Sequence, residues 1–308
     1  MASVISKAGF PDILDPRYRE VTYDTFKLQK DMIPFFYNQV ASTQFVERGT
    51  DITPMGDMDE FGGTIAYDSP DQGYDWTATH KEFAKGIQVE RALWEFDQFG
   101  VIDDLFGELA NSAFRTRQKD AARFLNMAFS DDTYFFDTTE NVALCSDSHT
   151  TTRSGVSTSA GFDNKATSAL SPTALGTAIT AFRKLKDLGG ERINVMPNLL
   201  IVPVDLRDRA LEIIKTEKGL DTAEGTINIY NSDYDFNVVD WIYLTDTNNW
   251  FLADSVMMKK NLKWYDKVKP EFARVEAFDE LIAKYRAYMF YTLGRGSLWQ
   301  FIYGSAVS

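Results

Sequence analysis

One cysteine in 308 residues, Cys145, excludes any disulfide within the chain and suits a reducing compartment. Two histidines, His80 and His149, are too few for a clustered zinc site, and neither HExxH nor CxxC occurs. No GxxxxGK[ST] phosphate loop and no GxSxG nucleophile elbow is present. Gly294-Arg295-Gly296 looks like the start of a dinucleotide fingerprint, but the third glycine and the following helix are missing, so it reads as a turn between strands. No run of 18 apolar residues offers a membrane span, and the opening MASVISKAGFPDILD lacks the apolar stretch of a secretory signal. Positive charge is scarce too: 32 Lys and Arg face 45 Asp and Glu, a net charge of −13. That excludes a basic clamp on phosphates, though not a container through which DNA must slide without sticking.

What the chain has is size and aromatic mass. Its length suggests about two domains. Hydrophobic residues at 44% and charged ones at 25% are ordinary for a folded chain, while aromatics at 14% supply large packing surfaces.

The stretch Gly100–Phe129 predicts one long helix. Ile102, Leu105, Phe106, Leu109, Ala113, Ala121, Phe124, Leu125 and Ala128 recur at helical spacing, and no proline interrupts them. At ~1.5 Å per residue it would run ~45 Å, long enough to act as a beam. Asp103 and Asp104 sit where the helix dipole favours anions. Arg115, Arg117, Lys119 and Arg123 are expected to form a charged face, on an inner wall or at a subunit boundary.

Before the helix, Met1 to about Asp31 reads as an arm, with a short helix at Tyr23–Met32 stopped by Pro34. Gln39–Glu47 reads as a strand. Arg48–His80 is punctuated by five glycines and two prolines, and its seven acids are Asp51, Asp57, Asp59, Glu60, Asp68, Asp71 and Asp75, against Arg48 alone. A segment this long without a core pattern is functional or disordered. Thr64–Tyr67 and Trp76–Thr79 are its candidate hairpin limbs. Phe83–Phe96 reads as a strand with Ile87, Val89 and Leu93 on one face.

After the helix, Asp131–Ser171 is polar and is expected to be exposed loop. Ser171-Pro172 starts a helix with Leu175, Ile179, Phe182 and Leu185 inward and Gly189-Gly190 as its stop. Asn198–Val202 reads as a buried strand, followed by a helix over Val204–Lys218 with Leu206, Ala210, Ile213 and Ile214 inward and Gly219 as its stop. Phe236–Leu244 and Asn249–Ala253 read as strands joined by the turn TDTN. Phe272–Phe278 and Leu281–Leu293 read as a hairpin joined near Asp279-Glu280, and Leu298–Tyr303 as a last strand.

Candidate chemistry is thin. Cys145 and His149 lie close in sequence but lack a third group to orient a base, so His149 reads as an exposed loop residue. Asp57, Asp59 and Glu60, or Asp233 and Asp235, offer carboxylate pairs without the ligand spacing of a calcium loop. Trp241, Tyr243, Trp250, Phe251, Trp264 and Tyr265 would either line a sugar groove or pack as core. Together these acids and aromatics carry the rival reading, a carbohydrate-active enzyme. No cofactor or metal is expected, and no enzymatic activity.

The order of elements is similar to that of the tailed-phage major capsid proteins, the Hong Kong 97 (HK97) type of shell subunit. ATHKEFAKGIQVERALWEFDQFG leading into the long helix resembles the return limb of that family's extended loop and its spine helix. LSPTALGTAITAFRKLKDLGGERINVMPNLLIVPVDLRDRALEII and WFLAD resemble later parts of the Mu-like head-subunit branch. The resemblance covers about Asn38 to Tyr303 and rests on collinearity.

It implies an α+β, HK97-like capsid fold. Residues 1–37 would be the N-arm and 38–97 a strand with the extended E-loop, the loop itself at about 48–84. Residues 98–191 would be the peripheral domain with spine helix 100–129, and 192–262 the axial domain. Residues 263–297 would add a peripheral hairpin, and 298–308 the final strand and C-terminus. Phe61, Tyr67, Tyr74 and Trp76 would be intersubunit anchors on the loop, with Ile102, Leu105, Leu109 and Phe124 along the spine. The implied function is a self-assembling virion shell of hexamers and pentamers around double-stranded DNA, built in a bacterial host's cytoplasm, without sequence-specific DNA binding or membrane contact. Implied partners are further copies of itself, a separate scaffolding protein (the arm being too short to include one), a portal and a decoration protein. An encapsulin-like cargo shell is the neighbouring alternative. The loop over 48–80 has no lysine, which argues against loop cross-linking.

Overall fold

The computed structural model describes residues 20–22, 24–27, 29–65, 67–90, 92, 101–217, 227–232, 234, 236–277, 281–296 and 298–307. The readings placed on residues 1–19, Leu93, Gly219, Asp233, Asp235 and the Asp279-Glu280 turn lie outside them.

The beam is present as helix α2, Val101–Asn126, preceded in the chain by a short helix α1, Ile33–Phe36. Its length is ~39 Å at the usual rise. Ile102, Phe106, Leu109, Ala113, Ala121 and Leu125 are buried, while Leu105 and Phe124 are half-buried at the edge of the stripe. Residues 24–27 are helical, but Pro34 does not stop that helix. It opens α1, where a missing N–H costs nothing.

The described residues form three sheets, the first of which packs against the beam. The first has the order β1 (Asn38–Ala41), β10 (Lys263–Ala277), β11 (Ile282–Gly294), β4 (Lys81–Glu90). β10 and β11 form the expected hairpin, with Phe272 opposite Ala287, and β4 pairs antiparallel to β11. β10 begins earlier than expected because Trp264 and Tyr265 pair into the sheet opposite Leu293 and Thr292. Pro270, with no N–H to give, falls in the break of register between Val268 and Glu271.

The second sheet has the order β6 (Lys165–Ala166), β12 (Ile302–Ser305), β9 (Trp250–Ala253), β7 (Leu199–Val202), β8 (Asn237–Asp240). Its middle strands β7, β9 and β12 are wholly buried, the first two as their continuous apolar runs require. The two strands flanking TDTN do not pair with each other. β8 is parallel to β7, β9 is antiparallel to it, and β7 separates them. The third sheet is β2 (Val46–Ile52), β3 (Gln72–Thr79), β5 (Phe136–Thr138). Here Gln39–Glu47 is two strands in two sheets, and β3 pairs with β2 instead of Thr64–Tyr67.

Helix α3, Pro172–Phe182, starts as read: the Ser171 side chain accepts from Ala174 N at 3.1 Å. It ends at Phe182, before Gly189-Gly190. Those glycines instead sit in a tight turn where Asp187 Oδ1 accepts from Gly189 N and Glu191 N, and Gly190 takes φ +92°. Leu185 is buried all the same. The next helix begins as a 3-10 turn, Val204–Leu206, and continues as α4, Arg207–Lys215, with Ala210, Ile213 and Ile214 buried. Two short helices, α5 (Ile229–Ser232) and α6 (Ser255–Asn261), complete the chain. α6 is capped by Asp254, which accepts from Val256 N and Met257 N.

Candidate intersubunit surface

Between β2 and β3 the chain leaves the body as a loop over residues 53–71. Its apolar side chains point outward: Met58 is fully exposed, Tyr67 is 91% exposed and Phe61 71%, with Met55 and Ile65 exposed beside them. Large apolar groups gathered in solvent on one loop gain nothing there unless another surface covers them. Asp57, Asp59 and Glu60 share the loop tip and are exposed.

The base of the loop is tied down. Thr53 N donates to Asp71 O at 3.0 Å, and Asp71 N donates back to Thr53 Oγ1 at 2.8 Å. Arg153, from the Ser/Thr-rich segment, donates to Pro54 O at 2.7 Å and reaches Asp68 Oδ2 at 3.4 Å. The Gly56 N–H on Asp68, with Arg153 beside it, holds that carboxyl below the usual range against a smaller desolvation. Thr152 Oγ1 donates to Gln72 O at 2.8 Å.

Two of the four expected anchors are spent within the chain. Trp76 is half-buried and stacks on Phe136 with centroids 6.1 Å apart, while its other face covers Gly49, where an added Cβ would meet the indole at 2.5 Å. Tyr74 OH bonds Thr150 Oγ1 at 2.5 Å. Phe61 and Tyr67 remain available to a neighbour, and Trp76 and Tyr74 stiffen the ribbon that carries them.

That ribbon stands on a polar frame. His149 is buried, not exposed as its Ser/Thr-rich surroundings suggest. Its Nδ1 lies 2.9 Å from Glu140 Oε1, its Nε2 3.3 Å from Leu144 O, and its ring stacks on Trp299 at 4.0 Å. Glu140 also accepts from Thr150 N, which joins this frame to the loop base. Cys145 is buried, and burial pushes its thiol well above the usual range, so no activated Cys–His pair forms.

On the spine, Arg117 is not part of an outer charged face. It is 5% exposed and forms a two-pronged ion pair with Asp266 at 2.8 and 3.3 Å. Trp264 Nε1 donates to the same carboxylate at 2.9 Å, and the guanidinium lies 4.9 Å from the Trp264 ring and 5.3 Å from Tyr291. Tyr291 OH donates to Asp120 Oδ2 at 2.6 Å. Burial raises the Asp120 carboxyl above its ordinary range and raises both Tyr291 and Tyr37. Arg123 pairs with Asp132, leaving Arg115 and Lys119 as the exposed cations of that group.

The supposed sugar-groove aromatics Trp241, Trp250, Phe251, Trp264 and Tyr265 are buried and Tyr243 half-buried, so they are core. Burial pushes the Tyr265 hydroxyl up to about 12. Among the described residues no group of three or more His, Cys, Asp and Glu is placed to hold a metal ion, and no helix is long and apolar enough to cross a membrane.

A family model described as phage capsid protein matches residues 75–303. No curated protein matches the sequence. Among solved structures, the chain is similar to the capsid of the cyanophage P-SCSP1u at 9% identity, covering 91% of this chain and 89% of that one with a TM-score of 0.59. It is similar to the capsid of a native GTA particle at 12% identity, covering 91% of each chain with a TM-score of 0.56. It is also similar to a virus-like particle from Pyrococcus furiosus at 9% identity, covering 94% and 98% with a TM-score of 0.52.

Proposed function

Because this chain belongs to the phage capsid protein family, we propose that its copies form hexamers and pentamers that close into an icosahedral shell around double-stranded phage DNA. It is a structural capsid protein with the HK97-like fold, and its place is the virion capsid. The finer reading rests on the loop over 53–71, which sets Met58, Phe61 and Tyr67 in solvent beside exposed acids. In a shell those side chains lie on the adjacent subunit, with Phe61 and Tyr67 as anchors. The net charge of −13 keeps the inner wall from gripping DNA in any fixed register.

The division of labour follows the sheets. β1, β4, β10 and β11 with α2 form the peripheral part, and the five-stranded sheet, with α3 packed on β12, forms the axial part. Of the arm placed at residues 1–37, Ile33, Phe36 and Tyr37 are buried in this subunit's own core, so the part that meets a neighbour is the part before them. A separate scaffolding protein, a portal and a decoration protein complete the assembly, which takes place in the host cytoplasm. Electron microscopy of the purified chain tests this. Capsomer rings or closed particles are expected, with nucleic acid in particles taken from infected cells. A chain that stays monomeric at all concentrations overturns the reading, and particles filled with protein in place of nucleic acid make it a cargo shell.

A further inference from the structure

The five-stranded sheet ends in two exposed patches that differ in charge. At one end, β7 and β8 run parallel with Val202 opposite Asp240, and Trp241 N donates to Val202 O at 3.3 Å. The chains therefore leave the sheet side by side, and two positions further on Val204 is 52% exposed and Ile242 75%. Asp205 and Asp208 stand exposed beside them. The basic groups at this end are engaged, Arg207 with Asp240 at 3.1 Å and Arg209 with Glu212 at 2.7 Å.

At the opposite end, β7 begins where antiparallel β9 finishes, with Leu199 opposite Ala253. One carboxylate, Asp254, accepts from Met196 N at 3.1 Å and Val256 N at 2.9 Å, so those two residues are neighbours. Met196 is 51% exposed and Val256 74%. Lys259 and Lys260 in the last turn of α6 are exposed beside them, while the acid here, Asp254, is buried as the helix cap.

Single exposed apolar residues need no explanation. Two apolar pairs at opposite ends of one sheet, one flanked by unpaired acids and the other by lysines, are complementary in shape class and in charge. They cannot face each other within one molecule, because the strands between them hold them apart. We propose that the occupant of each patch is the other patch of a second copy of this chain, and that this head-to-tail contact closes the capsomer ring. A contact that joins two different surfaces is heterologous, and repeated copies of it close into a ring when the rotation fits. The proposal rests on the capsid reading above and names the residues that join subunits around the ring, apart from the loop that reaches outward.

The test is charge reversal in the full chain, read by native mass spectrometry and negative-stain microscopy at about 0.15 M salt, where charges interact over ~8 Å. Lys259→Glu with Lys260→Glu gives a subunit acidic at both ends. Asp205→Lys with Asp208→Lys gives one basic at both ends. Each variant alone is expected to lose ring formation at least tenfold in the concentration required, and the chain carrying all four changes is expected to regain it. An equimolar mixture of the two reversed chains can only alternate around a ring, so it should give hexamers and no pentamers. Both variants assembling like the unaltered chain overturns the contact and leaves the capsid reading standing. Failure of the fourfold variant and of the mixture, with the unaltered chain assembling, overturns it as well. An unaltered chain that never assembles sinks the capsid reading and this contact together.

Discussion

The loop over 53–71 and the spine helix α2 use the same kinds of residue in opposite ways. The loop turns Met58, Phe61 and Tyr67 to solvent and is held at its base by Thr53, Asp71 and Arg153. The spine turns even an arginine inward, where Arg117 meets Asp266 under Trp264 and Tyr291. The loop's stabilising contacts are thus incomplete in the subunit, and the spine's are complete. Under the proposed function, that contrast is the one expected of a subunit that keeps its rigid frame internal and leaves its joining surface to be covered by another copy.

The largest effect expected from breaking this contrast is on assembly. Replacing residues 54–70 by about four Gly and Ser residues leaves a short hairpin connection, because Thr53 and Asp71 already face each other. Thermal unfolding should show the subunit losing no more than about 2 kcal/mol, since apart from exposed groups the change removes only the Pro54 and Asp68 partners of Arg153. Microscopy should show no closed shells. Normal shells from this variant would mean that the loop is not a joining surface.

Next in size is the spine. Arg117→Ala leaves the Asp266 carboxylate buried without its cation and should cost about 3–5 kcal/mol of subunit stability by denaturant unfolding. Pairing it with Asp266→Leu should return much of that loss, because the uncompensated charge is gone. A single-variant loss below about 1 kcal/mol, the range of an exposed pair, would show that the ion pair is open to water and that the spine is no more complete than the loop.

The smallest expected effect sharpens the boundary between the two regions. His80 joins β3 to β4, and its Nδ1 donates to Phe45 O at 3.0 Å. Burial holds its pKa below the ordinary histidine value, with Lys267 adding to the lowering, while the Phe45 carbonyl and Glu47 act against it. The unfolded chain therefore binds the proton more readily, and stability rises with pH across this range. Unfolding midpoints should fall as pH drops below about 6.5 toward the lower value in the fold. His80→Gln should flatten that slope. An unchanged slope would place the acid sensitivity in the carboxylates, of which Asp68 loses its contribution only below about pH 4.

Much of this was legible in residue order. The spacing of Ile102, Leu109 and Leu125 gave the beam, Ser171-Pro172 its neighbour's start, and the glycine-rich acidic stretch the outstretched loop. Each depends on a few consecutive residues, and helical period, capping and turn chemistry act over that range. The candidate joining surface was partly legible, since the exposed Phe61 and Tyr67 lie where no core pattern exists. Trp76 misled because a tryptophan in a loop-like stretch has the same sequence whether its partner is another chain or Phe136.

The amino-acid order by itself determined the spine helix, the start of the helix at Ser171-Pro172, the continuous apolar runs of β7 and β9, and the glycine-rich acidic loop. Only the tertiary structure decided which strands meet. β7 comes to lie between β8 and β9, β3 pairs with β2, and Arg117 reaches an aspartate 149 positions away. Local geometry fixes the repeat of a segment, but a buried strand or charge is stable only beside a partner that satisfies it, and that partner is chosen by the packing of the whole chain.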